Sequence, residues 1–504
     1  MKWKFKELLK YVVTMVCVFV LASSSLLIMT EIKKANRWKT TNIDAMTDDE
    51  DKFVSLTYYY VVSSIPKDLA TVNLALNKVL KRKLNCEVRL KPIIESEYES
   101  TLSLMINSAD EFDICFTSNW VLDYYDNAKL GAFLDITNAI EKYAPTIAAT
   151  VPDKLKKAAT VNGKLYGTVN TQVVPRTPGI TFNTEWYEKF MAENPDYVFD
   201  SLESLEEYFK FCILNGADQT NMCEGFYPEG LLVYWGFDDI GGFASPGVVR
   251  VTDESCTVIN QFTSKEFTDM IALSRKYYDR GYMGDISSAL VQSKELAYLA
   301  STWKPGGSVE ESLSRGAQLT NVKIGESYCF NSWLLNSLNA ISATSKNPIR
   351  ALKFLELLYS DKEVFNLLTY GIENVHFVKT GSNVIQSIAD SGYNVANAWE
   401  FGNQFNAYLL EGQDEDTWEE TKRLNETAKD SALIGFQFDP TPVSVEILNC
   451  NSVYNEYIST FIYGAYLEKT DAKYKEFLNK MNAAGAQKIM EEKQRQINEW
   501  LDKK

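Results

Sequence analysis

The strongest constraint on the fold is a regular alternation of strand and helix patterns after the first fifty residues. Ser55–Ser63 and Cys86–Ile93 are rich in β-branched, aromatic or alternating apolar residues, a composition typical of strands. Asp68–Leu84 places leucines and valines on one stripe of a helix. Glu95–Ser108 predicts a second helix, and the segment FDICF predicts a third strand. Strands that alternate with helices predict a parallel sheet with helical crossovers, and therefore an α/β fold.

Polar and aromatic residues follow the third strand, where a helix is expected to begin at Val121 and end at Leu130, before Gly131. In open parallel sheets, ligands lie beyond the carboxyl ends of the strands. Amide side chains both donate and accept hydrogen bonds, and an indole packs against apolar ring faces. We therefore predict that Thr117, Asn119 and Trp120 contact a ligand. The alternative is that Trp120 packs beneath the helix and Asn119 is its N-cap.

Length and charge limit the class of protein. A chain of 504 residues predicts two globular domains. The net charge of -16 argues against nucleic-acid binding, which needs clustered Lys and Arg. The eight cysteines are scattered and form no C-x-x-C pair, so neither a disulfide framework nor a structural zinc site is indicated. We expect no metal and no cofactor.

The first thirty residues have the pattern of an export signal. Four lysines precede an apolar run from Tyr11 to Met29, which is also just long enough to span a bilayer. Cys17 follows Val16 rather than a small residue, so it does not form a lipoprotein cleavage site. We predict an uncleaved signal/anchor segment over 1–30 and a polar tether over 31–51. A cleaved signal is the alternative.

Catalytic patterns are missing from the sequence. His376 is the single histidine, so a Ser–His or Cys–His system would depend on it. The chain has neither a G-x-S-x-G elbow nor a G-x-x-x-x-G-K-[ST] loop. The 67 acidic residues stand in no recognisable glycosidase motif. We expect a protein that is not an enzyme and has no catalytic residues.

Three long stretches together resemble one family. FDICFTSNWVLDYYDNAKLGAFLDITNAIEKYAP is similar to the first-lobe segment of extracellular solute-binding proteins, family 1, of bacterial sugar-type ABC importers. SATSKNPIRALKFLELLYSDKEVFNLLTYGIENVHFV is similar to the late helical pair of that family. GNQFNAYLLEGQ and WEETKRLNETAKDSALIGFQFDPTPVSVEI resemble the C-terminal extension of its LipO-like subgroup. Members of that subgroup usually carry a lipobox, which this N-terminus lacks.

The resemblance implies a two-lobed periplasmic-binding-protein (Venus-flytrap) fold. Each lobe is expected to be a mostly parallel sheet flanked by helices, with additional C-terminal helices. Lobe 1 would comprise 52–168 and 335–385. Lobe 2 would comprise 169–334 and 386–504, including the C-terminal extension. The chain would cross the hinge at Gly163–Gln172 and at Ser332–Ala340.

The resemblance also implies a function. The protein would capture a carbohydrate, most simply an oligosaccharide, in the interlobe cleft and deliver it to the transmembrane subunits of an ABC permease. It would act as a monomer on the extracytoplasmic face of the bacterial membrane, held by its N-terminal segment. A membrane-anchored sugar sensor without transport is one alternative, and a glycoside hydrolase is another.

Further candidate ligand contacts follow from the expected crossings and from polar, glycine-rich loops. Asn170 and Gln172 follow the first crossing strand, and Trp333 lies at the return crossing. Trp303 in STWKPGGS and Trp235 in YWGFDDIGGF lie in loop-like segments that offer little core to a large ring. The alternative for each tryptophan is packing in the core, which is favoured for Trp399.

Overall fold

A computed structural model of the chain describes residues 43–503, with gaps at 219–221, 224, 284–294, 301, 394–396 and 465–469. The predicted signal/anchor segment, residues 1–30, lies outside the described residues, as does the tether before residue 43. Within the described ranges, no helix is both long and apolar enough to cross a membrane.

The strands, in chain order, are β1 (Val54–Val62), β2 (Cys86–Ile94), β3 (Ile114–Thr117), β4 (Thr160–Val161), β5 (Lys164–Leu165), β6 (Gly167–Val169), β7 (Gly179–Asn183), β8 (Phe237–Asp239), β9 (Val248–Arg250), β10 (Ala297–Ala300), β11 (Leu319–Lys323), β12 (Tyr328–Cys329), β13 (Leu338–Ile341), β14 (Phe377–Lys379), β15 (Val384–Ser387), β16 (Leu409–Leu410) and β17 (Lys429–Asp430).

The α-helices are α1 (Leu69–Leu84), α2 (Glu95–Ser108), α3 (Tyr124–Leu130), α4 (Ala139–Tyr143), α5 (Pro145–Thr150), α6 (Asp153–Ala159), α7 (Thr184–Glu193), α8 (Leu205–Leu214), α9 (Pro228–Trp235), α10 (Lys265–Asp279), α11 (Gly307–Arg315), α12 (Pro348–Ser360), α13 (Lys362–Tyr370), α14 (Thr417–Thr427), α15 (Ser444–Tyr463), α16 (Thr470–Ala484) and α17 (Ala486–Leu501).

The first sheet has the strand order β2-β1-β3-β13-β6. β1 pairs in parallel with β2 and with β3, as the strand–helix alternation predicts, and α1 and α2 form the crossovers. β13 lies between β3 and β6 and runs antiparallel to both. Since β13 is contributed by the second predicted hinge crossing, this sheet is completed only when the chain returns from the other lobe.

The second sheet differs from the expectation of a mostly parallel arrangement in each lobe. Its order is β10-β7-β11, and β7 runs antiparallel to both neighbours. β10 and β11 therefore run in the same direction and are joined by helix α11, as a crossover unit requires. The pattern along the chain reveals such a unit but does not reveal that an earlier strand is inserted between its two strands.

Two large hydrophobic cores accompany the two sheets. The first contains Tyr58, Phe116 and Phe354, and the second contains Phe182 and Leu299. Helices α15, α16 and α17 pack into the second core through a set of buried side chains: Phe461, Phe477 and Ile489. The chain is thus built as two lobes, with the C-terminal helices on the second.

The part of the expected tether that is described, residues 43–51, packs on the first lobe. Ile43 belongs to the first core. Asp48 lies 3.0 Å from a guanidinium nitrogen of Arg350, whose side chain is only 1% exposed. A buried guanidinium group needs a carboxylate partner, and Asp48 supplies it. These residues are therefore part of the folded lobe.

Tyr393 and the stretch 397–418 pack with the first lobe. Tyr393, Phe401, Leu409 and Trp418 lie in the first core, whereas the sequence analysis placed 386–504 with lobe 2. The apolar pattern of the sequence predicts which residues are buried. It does not predict in which of the two cores they lie. The other predicted lobe boundaries stay a prediction.

Candidate ligand-binding site

A cavity of about 1270 Å³ lies between the two cores. Its wall includes Phe243 and Leu299 from the second core and Trp418 from the first. Tyr370 and Trp399, which also line it, pack against the first core. The cavity is therefore an interlobe cleft.

Aromatic side chains line this cleft from both lobes. Tyr370, Trp399 and Trp418 come from the first lobe, and Tyr298 and Tyr454 come from the second. Trp399 is half-buried, so part of its indole is accessible from the cleft. Aromatic faces on opposite walls suit a ligand that presents flat apolar faces.

A polar network on the second-lobe wall surrounds Glu311. Its carboxylate accepts hydrogen bonds from the Tyr298 hydroxyl and, at 3.3 Å, from Oγ1 of Thr181. Nε of Arg315 lies 3.2 Å from the same carboxylate, and its guanidinium lies 4.2 Å from the centroid of the Tyr298 ring. Burial, together with the charge of Glu311, raises the pKa of Tyr298, so that its hydroxyl stays a neutral donor.

Asn321, also in the wall, has an unused acceptor. Its Nδ2 donates to Oε2 of Glu311 at 3.4 Å. Its Oδ1 is buried and accepts no hydrogen bond from the described part of the chain. A buried acceptor without a donor is unfavourable, so a ligand hydroxyl or N–H group at this point would be stabilising.

Gln413 joins the two walls of the cleft. It follows β16, whose Leu409 lies in the first core. Its Nε2 donates to the carbonyl oxygen of Gly306 at 3.1 Å and to Oε1 of Glu310 at 3.2 Å, beside and on helix α11. Gly306 has φ +66°, and a Cβ there would lie 2.8 Å from Nε2 of Gln413. A glycine is therefore required for this close approach.

Trp120 is placed at the surface rather than in the core. Its side chain is 44% exposed, and its Nε1 donates to the carbonyl oxygen of Asn336 at 2.9 Å. The indole centroid lies 6.2 Å from that of Trp399. Since Trp399 lines the main cavity, the two indoles form a continuous aromatic surface that leads out of the cleft.

Asn119 is not the helix N-cap that the alternative interpretation required. The N-cap of α3 is Asp123, whose Oδ1 accepts from the N–H of Asp126 at 2.8 Å. Asn119 instead donates from Nδ2 to the carbonyl oxygen of Ser332. Asn119 and Trp120 line a smaller hollow of about 460 Å³.

Thr117, Asn170 and Gln172 are buried and already hydrogen-bonded. Oγ1 of Thr117 donates to the carbonyl oxygen of Leu122 at 2.5 Å. Nδ2 of Asn170 donates to the carbonyl oxygen of Glu400 at 2.6 Å, and Nε2 of Gln172 donates to Oδ1 of Asn336 at 3.2 Å. These side chains therefore support the residues around the cleft in this structure.

The remaining predicted tryptophans do not line the main cavity. Trp235 packs at the end of α9 against Phe237, with centroids 5.8 Å apart. The Trp333 ring lies 4.1 Å from the Arg176 guanidinium. Trp303 packs beside Gly179, but its neighbours Thr302 and Lys304 line the cavity. The ligand contacts predicted from the sequence stay a prediction.

Several wall residues escaped the sequence analysis. Tyr298, Tyr370 and Trp418 lie at or near the ends of their elements, and Tyr454 lies midway along α15. The apolar pattern of all four elements predicts core packing. Trp399 is a partial exception. It lies in a loop-like segment of the sequence, but core packing is the favoured prediction for it. The pattern of a helix does not show that one end of it opens into a cleft.

The single histidine lies within the first lobe. His376 is 2% exposed. One ring nitrogen, Nδ1, accepts from the N–H of Ile372 at 2.9 Å, and Nε2 lies 3.0 Å from Oδ2 of Asp68. Both nitrogens are therefore engaged in hydrogen bonds that fix a connection after helix α13.

Comparison with known proteins agrees with this architecture. The chain is 24% identical over 479 residues to a carbohydrate ABC transporter substrate-binding protein of Streptococcus pneumoniae serotype 4, covering 92% of this chain and 94% of that one. It is 24% identical over 214 residues to lipoprotein LipO of Bacillus subtilis, covering 40% of each chain. Over nearly its whole length the chain is therefore similar to an ABC-transporter solute-binding protein. Its two-lobed fold is confirmed by the solved structures that it resembles.

One such structure is the N-glycan transport solute-binding protein NgtS of Streptococcus pneumoniae, with a TM-score of 0.78 and 22% identity over 89% of this chain and 99% of that one. NgtS in complex with Man5GlcNAc gives a TM-score of 0.67 at 23% identity and the same coverage. In the present chain, residues 432–502 match a family model described as a domain of unknown function (DUF3502). That range contains α15, α16 and α17.

Proposed function

We propose that this solute-binding protein captures an oligosaccharide in the interlobe cleft and delivers it to the membrane subunits of an ABC importer. The observation that carries the proposal is the pairing of aromatic walls across a cavity of about 1270 Å³. Pockets for drug-sized ligands are roughly 300–1000 Å³. This cleft therefore has room for a ligand larger than a monosaccharide.

The chemistry of the wall matches that of a sugar. Sugar rings present C–H groups on their faces, which pack against indole and phenol rings such as those of Trp399 and Tyr370. Their rims present hydroxyl groups that both donate and accept. Oδ1 of Asn321, which accepts no hydrogen bond from the described residues, supplies an acceptor at the same wall.

The named relatives support the same ligand class. NgtS is described as an N-glycan transport protein and was solved with Man5GlcNAc. The relative that matches 92% of this chain is named a carbohydrate ABC transporter substrate-binding protein. Both names describe binding and transport, so we propose a binding role without catalysis for this chain.

Ligand capture would proceed by closure of the lobes. The segment around Ser332 is held from both sides, because Asn119 donates to its carbonyl oxygen and its hydroxyl donates to Oδ1 of Asp238 at 3.0 Å. A crossing segment fixed in this way is a natural hinge. A ligand that contacts both walls favours the closed arrangement by its difference in affinity for the two states.

The Trp120–Trp399 surface extends the site beyond the cleft. An exposed indole fixed by its bond to Asn336 is pre-positioned for stacking. We propose that Trp120 and Asn119 contact the outer sugar units of a long ligand. The buried amide of Asn170 would act by holding the backbone of Trp399 and Glu400, and that of Gln172 would act by holding Asn336.

The location and partners follow from the same role. The protein would act outside the cytoplasm as a monomer, held at the membrane by the segment 1–30, and would meet the transmembrane subunits of its permease there. Deletion of the gene followed by measurement of oligosaccharide uptake tests this. Lost uptake supports transport, whereas normal uptake with a lost transcriptional response would favour a sensor.

A thermal-shift screen tests the ligand class. Residues 31–504 keep Ile43 and Asp48, which pack on the first lobe. A ligand that binds only the folded state raises the melting temperature. We expect a rise with oligosaccharides, and none with single amino acids or short peptides. A rise with peptides and none with oligosaccharides would overturn the proposal.

A further inference from the structure

The loop between β8 and β9 forms part of the cleft wall. Phe243 and Ala244 in this loop line the cavity. Nε2 of Gln261 donates to the carbonyl oxygen of Phe243 at 2.8 Å and to that of Ser245 at 3.1 Å. Oε1 of Gln261 accepts from the N–H of Gly247 at 2.9 Å. A buried glutamine thus holds the loop from one side.

Lys493 on helix α17 holds the same loop from the other side. Its side chain is 0% exposed. Nζ donates to the carbonyl oxygen of Pro246 at 2.7 Å, to Oγ of Ser245 at 3.0 Å and to the carbonyl oxygen of Gly247 at 3.1 Å. Every hydrogen bond of this ammonium group goes to three successive residues of the cleft loop.

The stem of Lys493 also fixes the loop by contact. Gly247 has φ +105°, and a Cβ there would lie 2.9 Å from Cδ of Lys493. The loop and the lysine therefore fit only because residue 247 has no side chain. This close packing ties the position of the wall to the position of helix α17.

The same C-terminal segment contributes to the wall itself. Tyr454 on α15 lines the cavity, and its ring centroid lies 5.6 Å from that of Phe243. One segment thus supplies an aromatic wall residue and anchors the neighbouring loop. Packing for stability alone would not require a buried ammonium group at this point, because burying a charge is unfavourable.

We propose that helices α15 and α17 are part of the ligand-binding apparatus, in which Lys493 is a positioning residue that sets the place of the cleft loop Phe243–Gly247. This inference rests on the proposed function of the cleft. It gives the C-terminal helices a role in recognition: the loop carries Phe243 into the wall, and the helices determine where the loop lies.

Titration of Lys493 gives a readout specific to this role. Burial lowers the pKa of Lys493 to about 7, while Asp239 on β8 and Cys450 on α15 act in the opposite direction. Opening the loop returns the ammonium to water, where its usual value is 10.5. The open loop therefore takes up a proton above neutral pH, and the formed loop becomes more favourable as pH rises.

Hydrogen exchange of the ligand-free protein is the direct test. In Lys493→Met, we expect the loop 241–250 to exchange roughly tenfold faster, because three acceptors lose the amino group that donates to them. Peptides of the first lobe should exchange as in the wild type. In the wild type, loop protection corrected for intrinsic rates should rise between about pH 7 and about pH 9, and this rise should vanish in the variant.

Lys488→Met is the matched control, since Lys488 is on the same helix with a side chain 65% exposed. It should leave loop exchange unchanged. Unchanged loop exchange in Lys493→Met, or an equal increase in every peptide, would overturn the proposal.

A second arm measures binding of Man5GlcNAc by calorimetry, where we expect roughly tenfold weaker affinity in Lys493→Met. If the wild type does not bind this glycan, the choice of ligand fails, and loop exchange alone decides the role of Lys493.

Discussion

The side-chain amide of Gln413 donates a hydrogen bond of 3.2 Å to Oε1 of Glu310, and this bond joins a residue seated on the first core to a helix of the second lobe. The same amide reaches the carbonyl oxygen of Gly306. The two walls of the cleft are therefore in direct contact beside the ligand space.

Removal of this bridge should weaken ligand binding. We expect Gln413→Ala to weaken ligand binding by about 1 kcal/mol, roughly fivefold in Kd, because the side-chain hydrogen bonds to Glu310 and Gly306 that favour approach of the walls are lost. Calorimetry with the oligosaccharide found in the screen measures this. Gln386→Ala removes an exposed hydrogen bond to Glu411 and serves as the control. Equal Kd values for the wild type and Gln413→Ala would contradict a role of the bridge.

Trp120 should contribute to binding of long ligands. Its exposed indole lies beside Trp399, so we expect Trp120→Ala to weaken binding by about 1–3 kcal/mol through loss of an aromatic contact. Calorimetry should show a smaller effect for a short glycan than for a long one. Trp186→Ala is the matched control, because Trp186 lies on α7, outside the residues that line the cleft. An unchanged Kd for long glycans would remove Trp120 from the site.

The Asp48–Arg350 pair should make stability depend on pH. Burial acts to raise the pKa of Asp48, but hydrogen bonds from Arg350 and Lys353 outweigh it and leave the pKa below its usual 3.8. A lowered pKa means that the stabilisation is present above pH 3.8 and is lost as pH falls through the folded-state value. We expect Asp48→Asn to lose about 3 kcal/mol of unfolding free energy at neutral pH.

Chemical denaturation over a pH series measures this difference. It should shrink as the solution becomes strongly acidic, because the wild-type carboxyl group is then protonated. Asp153→Asn is the control, since Asp153 has a fully exposed side chain in a surface pair with Lys156. A difference that does not change with pH would contradict the assignment.

Glu400, next to Trp399, should show the opposite dependence. It is 0% exposed, and burial raises its pKa well above the usual 4.5. The folded state therefore keeps a proton that the unfolded state loses above pH 4.5, so the wild type becomes less stable relative to a neutral variant as pH rises. The unfolding free energy of Glu400→Gln should rise relative to that of the wild type by about 1.4 kcal/mol per pH unit in that range. Parallel curves of unfolding free energy against pH for the wild type and Glu400→Gln would contradict this expectation.

Much of the first lobe could be predicted from the sequence because its order is local. The strand and helix patterns from β1 to α3 follow each other along the chain, and the bounds of α2 are those predicted. The positions of β13 and β7 could not be predicted, because they depend on which distant strand inserts between two others. Residues 43–51 pack on the lobe through the buried Arg350. Their acidic composition is typical of an exposed segment and does not predict this contact.

The candidate site was predictable only in part. The residues after β3 pointed to Trp120 and Asn119, since the end of a strand is a local feature. The main cavity instead takes Tyr298, Tyr370, Trp418 and Tyr454 from elements far apart in sequence. Their apolar spacing is that of core residues, and the opening of the cleft appears only when both lobes are assembled.

The central claim is that an oligosaccharide is held between aromatic walls of the two lobes. The most direct measurement is a calorimetric titration of the wild type and Trp399→Ala with the oligosaccharide that most raises the melting temperature, with Trp186→Ala as control. We expect saturable binding by the wild type and the control, and a loss of roughly tenfold or more in affinity for Trp399→Ala, from removal of a buried aromatic contact. Equal affinities for all three proteins would contradict the account.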